Sequence, residues 1–233
     1  MKHFSNRYIF IFSTIMVVIV AALLSLAATL LQPAQQRNLE IEKKKSMLES
    51  IRIPATRSNA VDLYARYIKE SFILNSRGET VEGTDPFKVV LRNEQKKPPE
   101  QQSLPVFRAV TDEGEPVIIL PVEGKGLWGP LNGYISLRQD MNTIYGVTFD
   151  HKGETPGLGA EINTTPFENM FRDKKLFDNQ TFVSIRVLKG RADPGDIHGV
   201  DAISGGTITS KGLEKMLLDC LSKYDNYFLK NRN

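Results

Sequence analysis

From Tyr8 to Leu31 the chain runs for 24 residues without a charged side chain. No other feature constrains its folding so strongly. About 20 apolar residues in a helix cross the hydrocarbon core of a bilayer, and a helix satisfies its own backbone polar groups there. The competing reading is a cleaved signal peptide, since Leu26-Ala27-Ala28 precedes the end of the run. The apolar region of a signal peptide is only ~7–15 residues long, however. The sequence therefore predicts an uncleaved single-pass anchor over 8–31, preceded by a short segment, 1–7.

Charge leaves the orientation of this anchor open. Lys2 and Arg7 precede it, while Arg37, Lys43, Lys44 and Lys45 follow. The positive-inside rule would put the large domain in the cytoplasm, but long domains translocate largely regardless of charge. Across the 233 residues the net charge is only +3, with 24% charged residues. That balance lacks the concentrated basic face of a nucleic-acid binder. Cys220 is the single cysteine and the histidines stand at 3, 151 and 198. This pattern predicts no disulfide, no Cys-x-x-Cys centre and no metal site. Any redox chemistry must come from an organic cofactor.

Beyond the anchor, Gln35 to Ile51 reads as a charged stalk helix with Glu40–Lys44 and Lys45–Glu49 at i,i+4. Asp62 to Phe72 reads as a second short helix with Asp62 at its N-cap. The polar, Pro-containing stretch 93–103 is the best internal boundary, dividing an accessory segment (32–103) from the main domain (104–233). In the latter, strands are predicted over Leu104–Val110, Pro116–Val122, Gly133–Leu137, Thr143–Phe149 and Phe182–Leu188, the first two joined as a hairpin. A final amphipathic helix is expected from Lys211 to Leu229. The fold class is α+β: an N-terminal transmembrane helix, then a twisted, mostly antiparallel sheet packed by helices.

Three segments carry chemistry. The first is Asp201-Ala202-Ile203-Ser204-Gly205-Gly206-Thr207-Ile208-Thr209-Ser210, directly before the last helix. Its residues alone allow a phosphate site, since free N–H groups and the positive helix end favour an anion. They also allow a Gly-rich turn with Thr209 or Ser210 as N-cap, the commoner meaning of so short a run. The second is His151-Lys152-Gly153-Glu154-Thr155-Pro156-Gly157-Leu158-Gly159, and the third is Gly126-Leu127-Trp128-Gly129-Pro130-Leu131.

Together these segments resemble the FMN-binding domain of the C subunit of the Na+-translocating NADH:quinone reductase (Nqr). The G subunit of the Rnf electron-transport complex shares much of the pattern. In that family the last Thr of Asp-x-x-Ser/Thr-Gly-Ala-Thr carries FMN through a phosphoester, and the matching residue is Thr207. Gly206 stands where the family usually has Ala, a departure expected to loosen the loop without abolishing attachment. A threonine with no base beside it in sequence implies a separate flavin transferase, with Asp201, Ser204, Gly205 and Gly206 in its recognition segment. The resemblance also places Glu154, Thr155, Gly157 and Leu158 along the isoalloxazine ring and Trp128 against it. The alternatives are an ordinary loop at 154–159 and a core-plugging Trp128. Lys189 would set a cation near the flavin phosphate or reduced ring, or else is a solvated strand-end lysine. His151 is read as a loop residue, with a proton donor as the alternative.

The resemblance implies an electron carrier with one covalent FMN in a multi-subunit inner-membrane complex, its flavin domain extracytoplasmic. No Gly-x-Gly-x-x-Gly follows a strand candidate, and the anchor has no charge to line an ion path. NADH oxidation and Na+ movement are thereby left to partner subunits. The competing functions are an Rnf-type G subunit, a free-standing anchored flavoprotein reductase and an anchored non-redox binding module.

Overall fold

In the computed structural model residues 5–232 are described; Lys2 and most of the 1–7 segment lie outside them. The chain divides into two compact units, residues up to 43 and residues from 44 onward. The first helix, α1 (Asn6–Ser50), takes in the predicted anchor and the predicted stalk as one element, with Pro33 inside it. By length and composition it is apolar enough to cross a membrane, and its apolar window is entirely unburied.

In the second unit the helix expected over 62–72 stops early. It is α2 (Ala60–Tyr67), and the chain then turns directly into strand β1 (Ile68–Leu74). Asn59, not Asp62, holds the N-cap position. Tertiary pairing overrides the helical spacing here. In β1, Ile73 and Leu74 are buried and the strand runs antiparallel to the strand at Leu104–Val110. After β2 (Thr80–Val81) and a short α3 (Leu91–Glu94) come β3 (Leu104–Val110), β4 (Pro116–Lys125), β5 (Pro130–Leu137) and β6 (Ile144–His151). These form one antiparallel six-stranded sheet in the order β2-β1-β3-β4-β5-β6. Strands from both sides of residue 103 therefore share that sheet, so 32–103 is not set apart from 104–233.

Alternation along β5 shows how the two faces of the sheet are used. Leu131, Ile135 and Leu137 join the main core, with Leu213, Met216, Leu217 and Leu221 of helix α5 (Thr207–Leu221) packed over them. Ser136, between them, faces the other way and donates to Ser50 O at the end of α1 (2.6 Å). On β6 Thr148 donates to Ser46 O (3.0 Å), so two C-terminal carbonyls of α1 find partners on the sheet. Gly146 leaves room for that docking: a Cβ there would lie 2.5 Å from Ser50 O.

The remaining elements are α4 (Thr165–Asn169), β7 (Phe177–Asp178), β8 (Thr181–Phe182), β9 (Arg186–Leu188), β10 (Gly199–Asp201) and α6 (Asp225–Asn231). The strand expected over 182–188 is broken, with Ser184 in left-handed backbone (φ 58°) between β8 and β9. The last helix starts four residues before Lys211 and tightens to a 3-10 turn at Ser222–Tyr224, where the buried Tyr224 donates to Pro105 O (2.9 Å).

Glu168 on α4 accepts from Phe149 N–H (2.8 Å). Burial pushes its carboxyl up from 4.5 to about 7, with Glu49 adding to the rise and the Phe149 bond opposing it. A raised carboxyl favours folding while protonated. That contribution is whole below about pH 4.5 and lost as pH climbs through about 7. Glu168→Gln keeps the acceptor for Phe149 N–H and removes the charge. Allowing for partial exposure, it should stabilise the full chain by about 1–2 kcal/mol near pH 8, with a smaller gain near pH 5. Thermal melts of both proteins at the two pH values check this.

Candidate functional site

The Ser/Gly/Thr loop hangs between β10 and α5. Asp201, the last residue of β10, accepts from Ala192 N–H through its carboxylate (2.7 Å), and Ala202 N–H donates to Leu188 O (2.8 Å). The parallel β9–β10 pair is thus held up to the rim of the loop. Gly206 N–H then closes a turn on Ile203 O (3.0 Å). Gly205 has a φ of +73° that favours glycine, and a Cβ there, 2.5 Å from Leu158 Cδ2, would displace that exposed side chain. Gly206 has an ordinary φ of −103°, but its Cβ would press on Ile203 Cγ2 at 2.9 Å.

Four hydroxyls follow one another here, and the structure sorts them. Ser210 is buried and accepts from Ile203 N–H (3.1 Å). Thr209 is buried and donates to the Glu154 carboxylate. Ser204 and Thr207 are exposed. Thr207 is the first residue of α5, so the helix begins before Thr209 and Ser210, and neither of them caps it. The first helical bond is Ser210 N–H to Gly206 O (2.9 Å). The N–H groups of Thr207, Ile208 and Thr209 have no intrahelical acceptor, which suits an anion carried on the Thr207 hydroxyl.

Glu154 is 5% exposed and ties the three sequence segments together. One carboxylate oxygen accepts from Trp128 N–H (2.9 Å), the other from Thr209 Oγ1. A Cβ on Gly126 or on Gly159 would lie 2.5 Å from these oxygens, so both glycines are required by the carboxylate's position. Around this joint the side chains open outward. Trp128 is 70% exposed, and Leu127, Leu158 and Ile208 are exposed with it. Thr155 is exposed too, and its carbonyl accepts from Leu158 and Ala160 N–H (3.1 and 3.2 Å). Gly157 carries the turn at φ +74°. Lys189 is exposed just past β9, beside the strand that ends at Asp201. A groove of about 740 Å³ between β4 and α5, lined by Lys125, Gly129, Pro130, Lys215 and Met216, meets the site at the Gly129–Pro130 end of the Trp128 loop.

Residues 126–222 match the family model described as an FMN-binding domain. The C subunit of the Na(+)-translocating NADH-quinone reductase of Vibrio vulnificus is 32% identical over 212 residues, covering 82% of this chain and 81% of the relative. The chain belongs to this C-subunit family. The Pseudomonas aeruginosa member is 30% identical and covers 90% of this chain and 91% of its own. Among solved structures, the C subunit from Parabacteroides distasonis superposes with a TM-score of 0.79 at 44% identity, over 87% of this chain and 98% of that one. Shewanella oneidensis NqrC gives 0.70 at 27% identity, over 84% and 98%. The α+β class expected from sequence holds: an apolar N-terminal helix precedes a mostly antiparallel sheet packed by helices, and these solved relatives share the fold over 87% and 84% of this chain.

Within this family member, Thr207, Ser204, Gly205, Gly206, Leu158 and Glu154 come together around the start of α5. Trp128 is joined to them through its backbone. Asp201 and Lys189 stand on the neighbouring strand ends, with Asp201 engaged by backbone. Sequence reasoning offered Thr209 only as an N-cap and missed its bond to Glu154. A signal was present: Thr209 lies four residues before Leu213 and continues the buried stripe of α5 toward its N-terminus.

Proposed function

We propose that this chain is the flavin-carrying, electron-transferring C subunit of a Na+-translocating NADH:quinone oxidoreductase, holding one FMN by a phosphoester to Thr207. The observation that carries the reading is the sorting of hydroxyls. Among the four in the loop, Thr207 alone is both exposed and on the first turn of a helix with free N–H groups. The residues present suit FMN at both ends. The helix start and Lys189 offer positive character for a phosphate, and Trp128, Leu158 and Thr155 offer apolar contact and a hydrogen bond to a planar ring.

FMN, when bound, supplies reversible uptake and release of electrons. The chain's own residues do the rest. Thr207 tethers the phosphate, the Trp128 and Leu158 side chains shield the ring, and Lys189 favours added negative charge. A flavin transferase loads Thr207, reading Asp201 through Gly206. NADH oxidation and sodium movement fall to the other subunits. The anchor is single-pass in the inner membrane, with the flavin domain on the extracytoplasmic side. The C-subunit relatives, matched along four-fifths of both chains, favour this reading over an Rnf-type G subunit.

Complementation tests it. In membranes lacking their own C subunit, the wild-type chain restores Na+-dependent quinone reduction by NADH and the Thr207→Ala chain does not. Restoration by Thr207→Ala, or no restoration by a flavin-loaded wild type, would contradict the proposal.

A further inference from the structure

We infer that Glu154 is a positioning residue, not a flavin ligand: its buried carboxylate is the joint that fixes the Trp128 loop against the first turn of α5. Both oxygens are already engaged, one by Trp128 N–H (2.9 Å) and one by the Thr209 hydroxyl. With 5% of the residue exposed, the carboxylate is committed to these partners. Its own N–H donates to His151 Nδ1 (3.2 Å), which holds the segment from the other side. The fit is steric as well as polar. Gly126 and Gly159 flank the carboxylate so closely that a Cβ on either would lie 2.5 Å from an oxygen.

The consequence reaches across the site. Trp128 lies 26 residues before Glu154, and Thr209 lies 55 after it. Thr209 is two residues beyond Thr207 on the same helical turn. A single carboxylate therefore sets the distance between the loop bearing Trp128 and the turn bearing the attachment hydroxyl. Resting on the function proposed above, this is the distance from the ring end of FMN to its phosphate end. A tether at Thr207 alone fixes only one end of a flexible ribityl chain. The joint fixes where the other end's partners stand.

The chemistry of the joint distinguishes among three substitutions. Glu154→Gln keeps it, because the amide oxygen accepts from Trp128 N–H and the amide nitrogen donates to Thr209 Oγ1. Glu154→Ala removes both bonds. Thr209→Val removes one hydroxyl, keeps the side chain's shape and leaves one carboxylate oxygen without its partner.

The test uses the full chain and its only tryptophan. Trp128 fluorescence anisotropy is measured without flavin, and intact mass and flavin anisotropy after co-expression with a flavin transferase. The expected result is a loss of Trp128 anisotropy in Glu154→Ala, a partial loss in Thr209→Val and wild-type behaviour in Glu154→Gln. Covalent flavin mass persists in all folded variants, while flavin anisotropy falls in step with that of Trp128. If Glu154→Ala does not fold, Thr209→Val and Glu154→Gln decide the matter. Unchanged Trp128 anisotropy in Thr209→Val and in any folded Glu154→Ala would overturn the inference. So would flavin mass lost from a folded Glu154→Gln whose Trp128 signal is intact. A wild-type chain that takes no flavin would sink the proposed function, while the Trp128 signal would still decide the joint.

Discussion

Thr207→Ala is expected to abolish covalent flavin completely, whereas Ser204→Ala slows loading and leaves the bond on Thr207. The expectation rests on which hydroxyls are free. Thr209 and Ser210 are buried and already bonded within the protein. Using either for a phosphoester would break a buried hydrogen bond and force a phosphate into the core, at several kcal/mol. Ser204 is exposed but lies on the far side of the Gly205 turn, before the helix begins. Thr207 has the exposed oxygen and the helix start together. Its replacement is also structurally mild: an exposed first-turn residue with no capping bond should change stability by no more than about 0.5 kcal/mol. Loss of flavin with an unchanged melting temperature is therefore the signature, read by denatured mass and a melt on the same sample.

Gly212→Ala should be the most damaging single methyl group on α5. On propensity alone the change would help, since alanine exceeds glycine in a helix by about 1 kcal/mol. Packing reverses the sign. A Cβ at Gly212 would sit 2.4 Å from the carbonyl oxygen of Lys125, the last residue of β4. That oxygen is backbone at the tip of the β4–β5 hairpin, where Lys125 pairs with Pro130, so it has little freedom to retreat. Overpacking of this kind costs about 1–3 kcal/mol, and more where backbone must move. The net expectation is a loss of about 1–2 kcal/mol in unfolding free energy, together with reduced flavin loading. The loading falls because the helix carrying Thr207 is pushed off the hairpin that carries Trp128. Denaturant unfolding of wild type and variant checks the first part, and the flavin-to-protein absorbance ratio checks the second.

The legible parts of the sequence were those in which one local rule dominates. Tyr8–Leu31 announces itself by length and lack of charge, and it lies within the uninterrupted α1. The hairpin at Asp112–Glu115 is written in its turn chemistry and closes with Gly114 at φ +80°. The misread parts are places where tertiary contacts override local preference. Ile68–Phe72 continues a helical pattern on paper but pairs with β3, which buries Ile73 and Leu74. The stretch after Phe182 has strand composition but is interrupted by the left-handed Ser184. In the site, the Ser/Gly/Thr loop stood out through the resemblance of its motif, since its residues alone also allow an ordinary turn. The role of Glu154 did not, because its partners lie 26 residues upstream and 55 residues downstream. No periodicity reports such a contact.

The most direct measurement is peptide mapping of the chain isolated from membranes that contain its flavin transferase. Trypsin cuts after Arg191 and Lys211, releasing Ala192–Lys211 with all four hydroxyls, Ser204, Thr207, Thr209 and Ser210. Fragment spectra of that peptide should carry the mass of FMN less one water on Thr207 and nowhere else. An unmodified peptide, or the flavin mass on Ser204, would contradict the account.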